Sequence, residues 1–579
     1  MRLSWLLLPV ALAACQRDEG PPPAAAPATA PPPPLTIQEP EAWSRDIRAS
    51  EAAVTEVERD ALRPLCNALK TEDPPALRAV LTAGFQGRLW AAPTPGRADA
   101  AVRTEALTPA TETLDRAGFA AAALAARARF AVVDRCSLKA FRFLLAEPRL
   151  DEAWSRLAFE VVGKGPDGHR QSLRAEWVAR VARTADGWRL SAVAADPAEA
   201  VAVLAPPFAD VTAAVGLGLH RDDTAREAIT AQVDDQRLET VGGLAVVDAN
   251  RDGFPDLFAW NRRRTLQLFV NDGRGGFLKE DALLPPPAVG YQQLWLDLDG
   301  DGTDELVSSE LLGCAHDRGQ FGIYQRRGQG LTRVGSLEFD LSCVDPGRAI
   351  YQHISAADVD QDGRVDLLLA GFGNHLSRRA NFNHFDGRNG ERNLLFMNQG
   401  GLRFSEEGRA RGLTGTRFSY VTAFFDLDDD GDQDLYVAND FGPNELFENV
   451  GGGRFKRVST GPMIENGQSM GLTVADFDGD LDLDLYVSNM YSKAGKRIVP
   501  LARGRLSPAT FKTLEGLAAG NTLYAREGDA WVERAADLHI AKAGWAWGQA
   551  FFDADNDGDR DLYVVNGMTS HSQERENDY

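Results

Sequence analysis

The stretch Asp426-Leu427-Asp428-Asp429-Asp430-Gly431-Asp432-Gln433-Asp434-Leu435 decides the fold. Its acids at positions 1, 3 and 5 place side-chain oxygens on one side of a tight loop. Glycine at 6 permits the turn, and a further acid at 9 precedes an apolar run. The same ten-residue pattern begins again at Asp248, Asp297, Asp358, Asp476 and Asp553, giving six copies. Their starts lie 49, 61, 68, 50 and 77 residues apart, the period of propeller blades with insertions rather than of a short solenoid turn.

Working outward, each copy has an apolar strand on either side, such as Val421-Thr422-Ala423-Phe424-Phe425 before and Leu435-Tyr436-Val437 after. A second half-repeat follows the first five copies: Leu266 to Asn271 leading to Gly276-Phe277, Gly322-Ile323-Tyr324, Asn393 to Asn398, Asn444 to Asn449, and Asn521 to Tyr524. Strand, acidic loop, strand and hairpin make four strands per unit, which is the unit of a β-propeller blade.

The 579 residues hold 62 Lys+Arg against 84 Asp+Glu, a net charge of −22 that argues against nucleic acid as a partner. With 44% hydrophobic and 25% charged residues, the chain is neither wholly disordered nor a multi-span membrane protein. The six loops alone hold 28 acids and three arginines, so the rest of the chain is close to neutral. Such crowding is costly unless a hard cation with many oxygen ligands neutralises it.

Calcium fits best, because magnesium demands a smaller octahedral shell and zinc or copper would bring His or Cys, which the loops lack. The expected ligands are Asp248, Asn250, Asp252 and Asp256; Asp297, Asp299, Asp301 and Glu305; Asp358, Asp360, Asp362 and Asp366. They continue with Asp426, Asp428, Asp430 and Asp434; Asp476, Asp478, Asp480 and Asp484; Asp553, Asp555, Asp557 and Asp561. Five or six ions are expected, because the fifth loop has Leu481 where glycine belongs and should be distorted or bind poorly. EF-hands are rejected: position 12 is never Glu.

These loops, with Asn439-Asp440-Phe441-Gly442-Pro443-Asn444, resemble FG-GAP/VCBS repeats, the calcium-loop repeats of integrin α-chain propellers. Met470-Gly471, Ser488-Asn489-Met490 and Gly544-Trp545-Ala546-Trp547-Gly548 are similar to bacterial members of the cartilage acidic protein family. The resemblance runs from about Phe208 to Gly567 and implies seven blades, against six loops in this chain. After the last loop no second half-repeat follows. Phe208-Ala209-Asp210-Val211-Thr212 looks like the outer edge of one, so the ring is expected to close by pairing N-terminal with C-terminal strands. The fold class is therefore mainly β, a propeller of six or seven blades over 206–579.

An α+β domain over 36–205 precedes it. Trp43, Ile47, Val54, Val57, Leu65 and Leu69 recur at helical intervals, with a kink expected at Pro64. Leu157, Phe159 and Val161 then alternate, as do Leu173, Ala175, Trp177, Ala179 and Val181, up to Asp186-Gly187-Trp188. Helices followed by such a meander resemble the nuclear transport factor 2-like fold. Its single histidine, His169, sits beside a turn and reads as a surface residue.

Residues 1–14 form a signal peptide: Arg2, an apolar run too short to span a bilayer, and Leu12-Ala13-Ala14 before Cys15. This resembles the lipobox of bacterial lipoproteins, which implies lipidation at Cys15 and, with Gln16 next, outer-membrane sorting. A Pro/Ala-rich linker spans 15–35. Export would make Cys66–Cys136 and Cys314–Cys343 disulfide candidates; three connectivities, or four buried thiols, are the alternatives.

Two functions are weighed. The first is a non-catalytic, envelope-anchored scaffold that binds a protein or glycan through one face, with an insertion from Met490 to Gly520 decorating the ring. The alternative is a polysaccharide lyase or hydrolase. Gly467-Gln468-Ser469-Met470-Gly471 matches the nucleophile-elbow string but opens a strand, not a helix. His316, His353, His375 and His384 lack metal-ligand spacing and read as surface or packing residues.

Overall fold

The structure, a computed structural model, describes residues 35–205, 208–217, 242–261, 266–280, 292–309, 318–327, 330–340, 351–373, 386–490, 493–528, 530–544 and 546–566. Cys15, Cys314, Cys343, His316, His375 and His384 lie outside them. Among the described residues no helix is long and apolar enough to cross a membrane.

The expected N-terminal helix forms, but Pro64 acts on it by widening rather than by a simple kink. Helix α1 (Ile47–Val57) opens into a π turn at Glu58–Leu62 before α2 (Arg63–Thr71). Proline has no N–H to give the carbonyl one turn back, so the winding loosens there. Strands β4 (Val132–Leu145), β5 (Glu152–Lys164), β6 (Arg170–Thr184) and β7 (Gly187–Ala195) make the antiparallel meander that the alternation predicts. β1 (Leu81–Arg88) pairs parallel to β7. Leu157, Phe159, Leu173, Trp177 and Ala179 bury against Leu62, Leu65 and Leu69, so one sheet face and the helices share a core. Cys66 and Cys136 border that core as thiols, not as the disulfide suggested by export; Cys66 is buried with the helix that carries it.

Among the described residues the repeat region is a series of five four-stranded antiparallel sheets and one two-stranded sheet, each paired in chain order. The first holds β9 (Gly242–Val247), β10 (Asp256–Asn261), β11 (Leu266–Asn271) and β12 (Phe277–Glu280); the second runs from β13 (Gln293–Leu296) through β14 (Glu305–Ser309) and β15 (Arg318–Arg327) to β16 (Gly330–Asp340). The third holds β17 (Tyr351–Ala357), β18 (Asp366–Gly371), β19 (Leu394–Asn398) and β20 (Phe404–Glu406); the fourth β21 (Phe418–Phe425), β22 (Asp434–Asp440), β23 (Glu445–Asn449) and β24 (Phe455–Arg457). The fifth comprises β25 (Ser469–Ala475), β26 (Asp484–Asn489), β27 (Thr522–Glu527) and β28 (Ala530–Glu533), and the sixth β29 (Ala546–Phe552) and β30 (Asp561–Asn566).

Every acidic loop joins a first strand to a second, as expected. The sheets stack face to face: β9 packs on β13, β17 on β21, β21 on β25 and β25 on β29. Second strands β18, β22 and β26 are buried along their whole length because a neighbouring sheet covers each face. That explains their near-continuous apolar sequence.

The Met490–Gly520 insertion does not merely decorate the array. Its helices Lys493–Ile498 and Pro508–Leu517 flank a tight turn, Val499–Ala502, whose Leu501 is fully buried beside Leu144 and Trp154. Arg497 donates to both carboxylate oxygens of Glu51, at 2.7 and 2.6 Å, and to the Ala140 carbonyl at 3.0 Å. Arg45 donates to the Arg503 carbonyl at 2.9 Å, and Lys542 reaches Glu176 at 2.9 Å. The insertion thus fastens the repeat array to the N-terminal domain.

Candidate metal sites in the acidic loops

The six loops share one backbone frame. Positions 4 and 6 are left-handed in all of them: Arg251 and Gly253, Gly300 and Gly302, Gln361 and Gly363, Asp429 and Gly431, Gly479 and Leu481, Asn556 and Gly558. That geometry turns successive N–H groups inward. The position 1 carboxylate accepts the N–H of position 6 throughout, at 2.8 to 3.1 Å. The position 5 acid accepts the N–H of position 7. Leu481 therefore does not distort the fifth loop. It adopts φ +78° and makes the glycine's hydrogen bond, at the cost of backbone strain and a side chain 90% exposed.

The acid at position 9 does more than its expected role of closing a shell. One of its oxygens accepts the N–H of position 2 in every loop: Ala249 to Asp256, Leu298 to Glu305, Val359 to Asp366, Leu427 to Asp434, Phe477 to Asp484 and Ala554 to Asp561. The other oxygen accepts an N–H from the third strand, Asn271 to Asp256, Asn398 to Asp366, Asn449 to Asp434 and Arg526 to Asp484; in the second loop Gln325 supplies its side-chain amide to Glu305 instead. These five acids are almost wholly buried. Burial pushes Glu305 up to about 7 and Asp366, Asp434 and Asp484 up to about 6.

Carboxylate oxygens converge in five loops, within 4.8 Å of one another: Asp297, Asp299 and Glu305; Asp358, Asp360 and Asp366; Asp426, Asp428 and Asp434; Asp476, Asp478 and Asp484; Asp553, Asp555 and Asp557. The structure thus groups positions 1, 3 and 9 in four loops and 1, 3 and 5 in the sixth. In the first loop Asn250 contributes an amide, whose oxygen accepts the N–H of Asp252 at 3.0 Å. Two oxygens of these groups, Asp360 Oδ1 and Asp426 Oδ1, are buried without a hydrogen-bond partner. An all-oxygen donor set with buried, unsatisfied oxygens fits a hard cation such as calcium.

Sequence patterning missed how the first four loops are tied to the next sheet. The position 2 carbonyl accepts from a third-strand side chain of the following sheet: Ala249 from Arg326, Leu298 from Asn398 at 2.8 Å, Val359 from Asn449 at 2.9 Å and Leu427 from Arg526. The recurrent Asn at the end of the third strand was the available signal.

At the other end of the strands, Ser469 is fully buried. Its hydroxyl lies 2.9 Å from Asn444 Oδ1 and 2.6 Å from Asn489 Oδ1, inside an amide network that joins the fourth and fifth sheets. His353 packs between the third and fourth sheets, where its Nδ1 accepts the Thr422 N–H at 3.4 Å. His169 lies at the turn between β5 and β6, where its carbonyl accepts the Gly165 N–H.

Serial four-stranded units with oxygen-rich loops define a class of repeat protein, and the family comparison agrees. The model described as FG-GAP-like repeat matches residues 248–308, 297–369 and 426–487. Those segments are similar to FG-GAP-like repeats; the sixth loop lies outside them but keeps the same frame. No curated protein matches the chain. Similar solved structures include Kfla4162 from Kribbella flavida, 17% identical over 26% of this chain and 93% of that one, with a TM-score of 0.19. Another is LinA-type3, a hexachlorocyclohexane dehydrochlorinase from Novosphingobium barchaimii, 11% identical over 27% and 90%, with a TM-score of 0.17. A third is described as a dehydratase of the NTF2-like family from Streptomyces avermitilis, 14% identical over 26% and 97%, with a TM-score of 0.19. At such scores the likeness transfers no activity to this chain.

Proposed function

We propose that this protein is a calcium-stiffened β-propeller that serves as a non-catalytic binding scaffold for a protein or glycan, held at the bacterial outer membrane by a lipid on Cys15. The observation that carries the calcium part is the convergence of the carboxylates at positions 1, 3 and 9 in four successive loops, with Asp360 Oδ1 and Asp426 Oδ1 buried and unsatisfied. A cation there would join the loop's own turn to the position 9 acid, which already holds the third strand, so one ion would brace a whole sheet. Asp-rich loops outside the cell typically hold calcium at roughly 10⁻⁴ to 10⁻³ M, which suits a structural ion rather than a signal. The burial of Ser469 supports a scaffold over a hydrolase that uses the Gly467–Gly471 string. The nuclear transport factor 2-like character of the first domain, and membership of the cartilage acidic protein family, belong to the same proposal.

The test is a metal count on the chain from Thr36 onward with thermal unfolding in calcium and in chelator. Five or six calcium ions and a calcium-specific rise in midpoint are expected, and no bound ion with an unchanged midpoint refutes the metal assignment. Anchoring is read separately: Cys15→Ala should release the full-length chain from the membrane fraction.

A further inference from the structure

The first strands of the third to sixth sheets share an irregularity near their start. Pairing with the second strand skips one residue at the same register in each: Gln352 in β17, Tyr420 in β21, Met470 in β25 and Trp547 in β29. Each stands six residues before the first acid of its loop, at Asp358, Asp426, Asp476 and Asp553, so the bulges lie toward the end of the sheets away from the loops. A bulge takes its extra side chain out of the strand's alternation and re-aims it. The backbone device repeats while the side chain changes from amide to phenol, thioether and indole. Varied chemistry on a fixed frame is what a recognition surface needs.

Two of these side chains meet. Tyr420 of the fourth sheet packs edge-on against Trp547 of the sixth, with centroids 5.8 Å apart, although the fifth sheet packs on both. Gly471, next to Met470, makes room for this approach: a Cβ there would lie 2.7 Å from the Trp547 carbonyl oxygen. Phe372, just beyond β18, reaches Tyr420 from the third sheet at 5.6 Å. Tyr420 and Trp547 are partly exposed, so the cluster reaches the surface.

Asp440, from the run Asn439 to Asn444 that the calcium loops do not explain, ends β22 beside this cluster. It pairs in the ladder with Phe418, two residues before Tyr420. It is 8% exposed, and among the described residues its hydrogen bond comes from the adjacent Phe441 N–H at 2.9 Å, with no cation paired to it. Glu445, just as buried, shows the usual arrangement and is paired with Arg457 at 2.9 Å. Strands β17, β21, β25 and β29 carry no lysine, arginine, aspartate or glutamate. Their one histidine, His353, is pushed by burial down to about 4 and is neutral. Burial pushes the Asp440 carboxyl up to about 7, and its charge adds to the burial that raises the Tyr420 phenol, so the acid and the aromatic cluster are neighbours. A buried carboxylate without a counter-ion is unfavourable until a cation reaches it.

We propose that this mouth binds a primary alkylammonium group, the side chain of a lysine on a protein partner. The proposal rests on the scaffold reading and narrows its partner to a protein. A primary ammonium can donate to the Asp440 carboxylate, which a quaternary ammonium, having no N–H, cannot do. Trp547 and Tyr420 are the ring types that attract a cation best. The four-carbon stem of lysine suits the Met470 thioether and the ring surfaces, whereas an amino sugar, polar on every side, offers no such stem. The net charge of −22 steers a basic partner toward the chain.

The probe is Nα-acetyl-lysine methylamide, titrated into the full chain in calcium buffer and followed by saturation-transfer NMR. Its norleucine counterpart, which keeps the stem and lacks the ammonium, should bind at least about tenfold more weakly, and so should choline and glucosamine. Asp440→Asn keeps the shape and an acceptor for the Phe441 N–H, and should weaken the lysine probe about tenfold with an unchanged thermal midpoint. Trp547→Leu should weaken it several-fold. If Asp440→Asn does not fold, the lysine and norleucine comparison on the unaltered chain decides. No binding of the lysine probe, equal binding of norleucine, or an unchanged affinity in folded Asp440→Asn overturns the proposal. Tighter binding of glucosamine or choline also overturns it, by assigning the mouth to a glycan or a quaternary headgroup. A negative result strikes this site alone, because the metal count and the Cys15→Ala release test the calcium-stiffened, anchored scaffold without it.

Discussion

Replacing Asp434 by alanine separates the two tasks given to the position 9 acid. Its Oδ2 accepts the Leu427 N–H at 2.9 Å and its Oδ1 the Asn449 N–H at 2.7 Å, and the side chain is 1% exposed. Removing it leaves two interior N–H groups without acceptors, each costing about 1–3 kcal/mol. Relief of a carboxylate that burial already disfavours returns part of this, so a net loss of about 2–4 kcal/mol is expected in chelator. In calcium the variant also loses the stabilisation from its own ion, about 2.7 kcal/mol when calcium stands at a hundredfold its dissociation constant. Asp428→Asn is the companion. Position 3 is exposed, and Asn250 in the first loop shows that an amide keeps the local turn. Asp428→Asn should therefore be near-neutral in chelator and destabilising only in calcium. Denaturant unfolding of both variants with and without calcium is the assay. The staple role is refuted if Asp434→Ala costs nothing in chelator, and the metal role if Asp428→Asn behaves identically in both buffers.

Leu481→Gly should stabilise the fifth loop by about 0.5–1 kcal/mol, since relief of roughly 1–2 kcal/mol of left-handed strain outweighs the entropy lost to glycine; it should also tighten calcium there, read by thermal midpoint and calorimetry. Proton competition has a defined sign: with Glu305 near 7 and Asp366, Asp434 and Asp484 near 6, the native metal-free chain binds more protons than the unfolded one between their ordinary values and these. Metal-free protein should thus lose stability as pH rises through that window, while the stabilisation by calcium grows, and midpoints at about pH 5.5 and 7.5 check both trends. Arg497→Ala removes the paired bonds to Glu51 and one to Ala140, which should cost about 1–3 kcal/mol and expose the segment around Leu501 to protease.

The six Asp-x-Asp-x-Asp loops and the alternating strands around them were legible because each is a local device. A turn, its ligands and the strand that follows lie within about a dozen residues, so composition and spacing record them. The left-handed position 4 was not legible, since Arg251, Gln361 and Asp429 show no common residue type and only the backbone path reveals it. Nor was the second task of the position 9 acid, whose partner on the third strand lies 15 residues on in the first and fourth loops but 32 in the third. Tertiary structure alone showed the insertion locking onto Glu51, 446 residues away, because that contact has no sequence period. It alone placed Phe208 against Phe552 and Val215 against Phe277, contacts between segments distant in the chain. Local chemistry determined what each repeat is, and packing between repeats decided how they are joined.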